Sequence, residues 1–151
     1  MLAANESVMD DLAALETGTL DPTRFPHGEH VRLGFEMLTR HPFCDAVTRF
    51  SHGLRLIATK AGRPEVYHET ITVAFLAVIS ERRAQAPTAD WSEFKEANAD
   101  LLDKHCLEQW YEPDQLKSDL ARRTFCLPRP VAQVSQPAVS RASSRPCTNR
   151  I

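Results

Sequence analysis

Three of the six histidines in this 151-residue chain fall in two short stretches, Phe25-Pro26-His27-Gly28-Glu29-His30 and Tyr67-His68-Glu69-Thr70-Ile71-Thr72. His27 and His30 are three residues apart, a spacing that shares one face of a first helical turn. His68 and Thr72, four apart, share a face in the same way with Ile71, Phe75 and Ile79. At a helix start the positive end of the macrodipole disfavours imidazolium, and burial pushes the same way. Neutral imidazole is the form that binds a metal or accepts a proton. His27, His30 and His68 are therefore candidate ligands for a divalent zinc, nickel or iron ion, filling three positions and leaving one for water. Such a bound water has a lowered pKa and serves as nucleophile or base, with metal-dependent hydrolysis the default reaction class. No catalytic side chain is assigned beyond that.

A different class of function fits the same residues. An inward histidine at a helix start is also an ordinary structural group, donating to a carbonyl or capping a turn. Helix N-termini attract anions as well. The alternative expectation is thus a helical binding or interaction module whose histidines are structural or hold an anionic ligand. Around the histidines, Thr72 could steady a ligand, although bonding back to the carbonyl four residues earlier is the commoner role. Asn98 falls on an apolar helix face, where a buried amide needs partners and a site histidine could be one. Glu69 adjoins His68 in sequence but points about 100° away on a helix. The chain carries no H-E-x-x-H, no G-x-S-x-G, no phosphate-cradling glycine loop and no dinucleotide fingerprint.

The elements that must position these side chains read as helices. Six segments emerge: Ser7 to Thr17, His27 to Arg40, Phe43 to Ala61, Tyr67 to Arg83, one from Asp90 and one from Pro113. In the second, Glu29, Arg32, Glu36 and Arg40 form a charged row of alternating sign, which sets His30, Leu33, Met37 and Leu38 inward. Phe43, Val47, Phe50, Leu54, Ile57 and Ala61 recur at spacings of four and three in the third. The fourth is apolar nearly all round and so is expected at the centre, with a buried strand as the competing assignment that its length disfavours. Asp90 with Glu93 three residues on reads as a capping box, with Trp91, Phe94, Leu101 and Leu102 behind it. Pro113 suits a first helical position, ahead of Leu116, Leu120 and Phe125. Short connections favour antiparallel neighbours, hence an all-α, single-domain bundle of five to six helices.

Composition bounds the rest. A chain that is 42% hydrophobic and 25% charged suits one globular domain. No apolar run approaches the roughly 18 residues of a membrane helix, and Glu6, Asp10 and Asp11 near the N-terminus do not suit a secretory signal. Cys44, Cys106, Cys126 and Cys147 are scattered with no C-x-x-C pair, as expected of free thiols in a cytoplasmic protein. The formal charge of −2 calls for neither nucleic acid nor an anionic membrane as partner, while a small molecule remains open. Charge is unevenly placed, however. Four of the 18 basic residues, Arg129, Arg141, Arg145 and Arg150, lie beyond Cys126, where there is no acid. Residues 1–126 are expected to form the helical domain. Residues 127–151, rich in Pro, Ser and small side chains, are expected to be a disordered basic tail.

The run from Gly18 to Phe35, G-T-L-D-P-T-R-F-P-H-G-E-H-V-R-L-G-F, the Tyr67-His68-Glu69-Thr70-Ile71-Thr72 block and the later Leu116 to Phe125 segment resemble a family of small uncharacterised bacterial proteins. That family shares a Phe-x-His-x-x-His block, a Tyr-His-x-Thr block and a terminal Ala-Arg segment. The likeness spans about Leu15 to Pro128, and the tail departs from it after Phe125. The resemblance implies that His27, His30 and His68 are the positions that matter, and it brings no reaction with it.

Overall fold

The computed structural model describes residues 2–130 and is all-α, with seven α-helices, four short 3-10 turns and no strand among those residues. Helix α1 spans Leu2–Thr17 and α2 spans His27–Arg40. Helix α3 covers Phe43–Lys60 and α4 covers Glu69–Gln85. Helices α5 (Trp91–Ala97), α6 (Pro113–Leu116) and α7 (Asp119–Arg123) are short. Helices α1 and α4 each pack on both α2 and α3, and α7 closes against α4. The core runs through this group, with Leu15, Leu33, Met37, Leu76 and Ile79 almost fully withdrawn from solvent.

Helix α2 has the bounds its sequence pattern predicts. The charged row forms: Arg32 pairs with Glu29 at 2.7 Å and with Asp11 at 2.6 Å, and Arg40 pairs with Glu36 at 2.8 Å. The opposite face buries Val31, Leu33, Met37 and Leu38. The interior apolar run forms a helix and not a strand, and it lies against α2, α3 and α7. Helix α1 starts at Leu2, five residues before the expected Ser7, and it ends where Gly18 adopts a φ of +66° that other residues rarely take. Gly53 lets α1 approach α3, because a Cβ there would stand 2.5 Å from the Leu15 carbonyl oxygen.

Three expectations about element ends are revised. Helix α4 begins at Glu69, with His68 outside it as the N-cap. The Asp90–Glu93 capping box forms with both bonds at 3.0 Å, but α5 stops at Ala97 and the chain continues as a 3-10 turn over Ala99–Leu102. The expected sixth helix breaks in two at Ser118, whose hydroxyl donates to the Gln115 carbonyl and accepts from the Ala121 N–H. The break turns Ala121 inward and leaves Leu120 and Phe125 exposed.

After α7 the chain runs as an extended strap. The Thr70 hydroxyl donates to the Thr124 carbonyl and accepts from the Cys126 N–H, and Tyr111 donates to the Cys126 carbonyl. The Gln115 amide then donates to the Leu127 carbonyl and accepts from the Arg129 N–H. Residues 127–130, expected to open the disordered tail, are thus tied to the helices, and residues 131–151 lie outside the described ones. No helix among the described residues is long and apolar enough to cross a membrane. Cys44, Cys106 and Cys126 are free thiols.

Candidate functional site

A cavity of about 510 Å³ opens between α2, α3, α4 and the segment joining α3 to α4. Its wall is mostly apolar, built from side chains such as Phe25, Phe50, Ile57, Ile71 and Phe75. His27, His30 and His68 all line it, with Thr72 beside them. The two histidine stretches, far apart in sequence, therefore meet at one site because α2 and α4 begin at the same end of the bundle.

The three imidazoles differ in what their nitrogens already hold. His68 is buried and spent at both nitrogens: Nδ1 accepts from the Ile71 N–H at 3.2 Å, and Nε2 lies 2.7 Å from the Leu116 carbonyl oxygen. A carbonyl only accepts and an N–H only donates, so the ring is the neutral tautomer with its proton on Nε2. Burial pushes the His68 pKa down, consistent with that form. His27 sends Nε2–H to the Leu101 carbonyl at 2.9 Å and sets its ring edge-on to Phe75, with centroids 4.9 Å apart. Its Nδ1 has no hydrogen-bond partner among the described residues.

His30 is the exception. Its ring lies 3.9 Å from that of Phe25, centroid to centroid, and neither nitrogen hydrogen-bonds to a described residue. Burial, aided by the positive charge His27 can carry nearby, lowers the His30 pKa from 6.5 to about 4. At neutral pH it is an uncharged ring offering one donor and one acceptor on an apolar wall.

The three histidines share one wall without assembling as a set of metal ligands. Among the described residues no three His, Cys, Asp or Glu side chains stand where they could hold a metal ion. The physical reason is plain for His68, because a ring whose two nitrogens bond to the backbone has no lone pair left for a metal.

The supporting residues named from sequence scatter. Thr72 lines the cavity, but its hydroxyl donates back to the His68 carbonyl at 2.8 Å. Glu69 turns away to accept from Tyr67 at 2.8 Å and to pair with Arg55, whose guanidinium lies over the Tyr67 ring. Those groups border a neighbouring hollow of about 350 Å³ that shares Tyr67 with the cavity. Asn98 stands outside the cavity as the C-cap of α5, donating to the Phe94 carbonyl and accepting from Arg82. Sequence reasoning missed Tyr67, Phe50, Ile57 and Ala58 as cavity wall. Phe50 and Ile57 belong to the apolar stripe of α3, with buried Ala58 beside it, and that periodicity looks the same whether the stripe meets neighbours or space.

The chain matches no protein-family model, no curated protein and no solved structure. What the site does is therefore read from its geometry.

Proposed function

We propose that this protein is a small-molecule binding module that takes a largely apolar ligand into the cavity between α2, α3 and α4. The observation that carries this reading is the cavity itself. A space of about 510 Å³ falls within the roughly 300–1,000 Å³ typical of ligand sites, and its wall is apolar with a few convergent polar groups. Protein interiors are otherwise close-packed, so an opening of this size in a chain of 151 residues costs contacts that a packed core would make. Two of the wall histidines are bonded to the backbone, which leaves His30 as the ring with both nitrogens available to a guest.

A metal-dependent enzyme on His27, His30 and His68 would require His68 to release the Ile71 N–H from Nδ1, the nitrogen whose lone pair would ligate. No observation favours that reading over the binding one.

The test is uptake of Nile red, a neutral apolar dye whose emission rises out of water. Wild-type protein should take up one equivalent. Ala58→Phe, which fills the wall from a buried position, should abolish uptake while helicity is retained, and Ala61→Trp at an exposed wall position should weaken it. A wild type that leaves the dye dark, or folded variants that bind it as well as wild type, would overturn the reading.

A further inference from the structure

The polar groups on the cavity wall can be taken one at a time, and together they restrict what the cavity can hold. His68 has nothing left to offer, since both ring nitrogens are bonded to the backbone. The Thr72 hydroxyl has given its hydrogen to the His68 carbonyl, and Tyr67 has given its own to Glu69. His27 has used Nε2 on Leu101, so in the neutral ring its remaining nitrogen, Nδ1, accepts. Arg63 lines the cavity but stands 69% exposed, with its Nε 3.5 Å from the Glu65 carboxylate in open solvent, where charge is well screened. His30 keeps both nitrogens.

The wall therefore presents acceptors at His27 Nδ1, Thr72 Oγ1 and one nitrogen of His30, against a single inner donor, the other nitrogen of His30. A carboxylate can only accept, and inside this cavity it would find one donor for its several lone pairs. An ammonium would find acceptors but no carboxylate on the wall to neutralise it. Burying either charge with so little compensation is costly. A hydroxyl both donates and accepts, and it carries no charge. Of the three, it alone suits a neutral imidazole set among acceptors.

We propose that the cavity selects an uncharged hydrophobe bearing a hydroxyl, a phenol or an aliphatic alcohol, with the hydroxyl bonded to the His30 ring and the apolar body against Phe25, Phe50 and Phe75. The proposal rests on the reading of the cavity as a ligand site and adds the chemistry of the guest.

Three probes of matched shape test it on the full-length protein: 4-hexylphenol, its methyl ether and 4-hexylbenzoate, followed by calorimetry and by displacement of Nile red. The phenol should bind about tenfold tighter than the ether, the ratio expected of one well-made buried hydrogen bond. His30→Leu should abolish the phenol's advantage over the ether. His30→Gln, which keeps both donor and acceptor capacity in a neutral side chain, should restore part of the preference and guards against a Leu variant that folds poorly. Equal binding of phenol and ether, a preference that survives His30→Leu, or tightest binding of the benzoate would each overturn the proposal. The last outcome would assign the selecting role to Arg63. If all three displace the dye equally, the cavity reading stands and only the hydroxyl selection fails. If none binds and the dye is not taken up, both fail.

Discussion

The first turns of α2 and α4 begin with the same chemistry and finish differently. Each brings an imidazole to one end of the bundle, against the same cavity. In α4 every polar group of the turn is committed: His68 caps the helix and ties it to Leu116, Thr70 holds the strap, and Thr72 bonds back to the His68 carbonyl. In α2 the cap is Pro26, which has no side-chain hydrogen bond to give, and the histidines lie inside the helix. There His27 makes one tie and His30 none. The difference is one of register. A histidine at the N-cap meets the free N–H groups of the helix, as Ser or Asp would, whereas one a turn further in must find partners elsewhere. Function, on this comparison, belongs with the uncommitted ring.

The largest expected consequence is an acid-side loss of stability arising from His30. Its pKa is about 4 in the folded protein against 6.5 ordinarily, so between those values the unfolded chain binds more protons. Stability is complete above about pH 6.5 and falls as pH drops toward 4, by roughly 3 kcal/mol in all from this group. His68, shifted the same way, adds to the slope. Asp100, held near 2 by its hydrogen bonds from Arg82, titrates below this window. Urea unfolding of wild type and His30→Leu at pH 7 and pH 4.5 should show a clearly smaller drop for the variant. Parallel losses in the two proteins would mean that His30 is not held neutral by its surroundings.

Next in size is His68→Ala, which removes an N-cap bond and leaves the Leu116 carbonyl without its partner. The sum is roughly 2–3 kcal/mol, read as a fall in melting temperature. His68→Asn should recover about 1 kcal/mol of that, since a short amide can cap the Ile71 N–H but cannot reach Leu116. If Asn restores nothing, the cap is not what the ring contributes. If it restores everything, the tie to Leu116 is idle.

What could be read ahead of the structure follows the range of the forces involved. The limits of α2 were legible because its charged row, apolar stripe and flanking prolines are all local. The start of α4 was misjudged by two residues, because imidazole is not a usual N-cap and its role shows only once Leu116, 48 residues away, is in place. The partner of His27 is 74 residues away. Helix phase put His27 and His30 on one face, but His68 joins their wall only because α2 and α4 begin at the same end of the bundle. The hydrogen bonding that decides whether a ring can ligate was not legible either. The split at Ser118 and the strap held by Thr70 and Gln115 depend on side-chain to backbone bonds that no periodicity encodes.

A smaller effect sharpens the comparison most, because it concerns the ring that stands between the two extremes. His27→Phe keeps an aromatic ring against Phe75 and removes only the bond to the Leu101 carbonyl. That carbonyl belongs to Leu101, which is 1% exposed, so water does not readily replace the lost donor. The expected cost is about 1 kcal/mol, a shift of a few degrees in melting temperature. His30→Phe should cost less, because no bond is lost there, and its ring can remain beside Phe25. The order of loss should therefore be His68 first, then His27, then His30, following the number of nitrogens each ring has already committed. If His30→Phe destabilised the protein more than His27→Phe at neutral pH, the uncommitted nitrogens would have a structural task after all. The distinction between the two helix starts would then collapse.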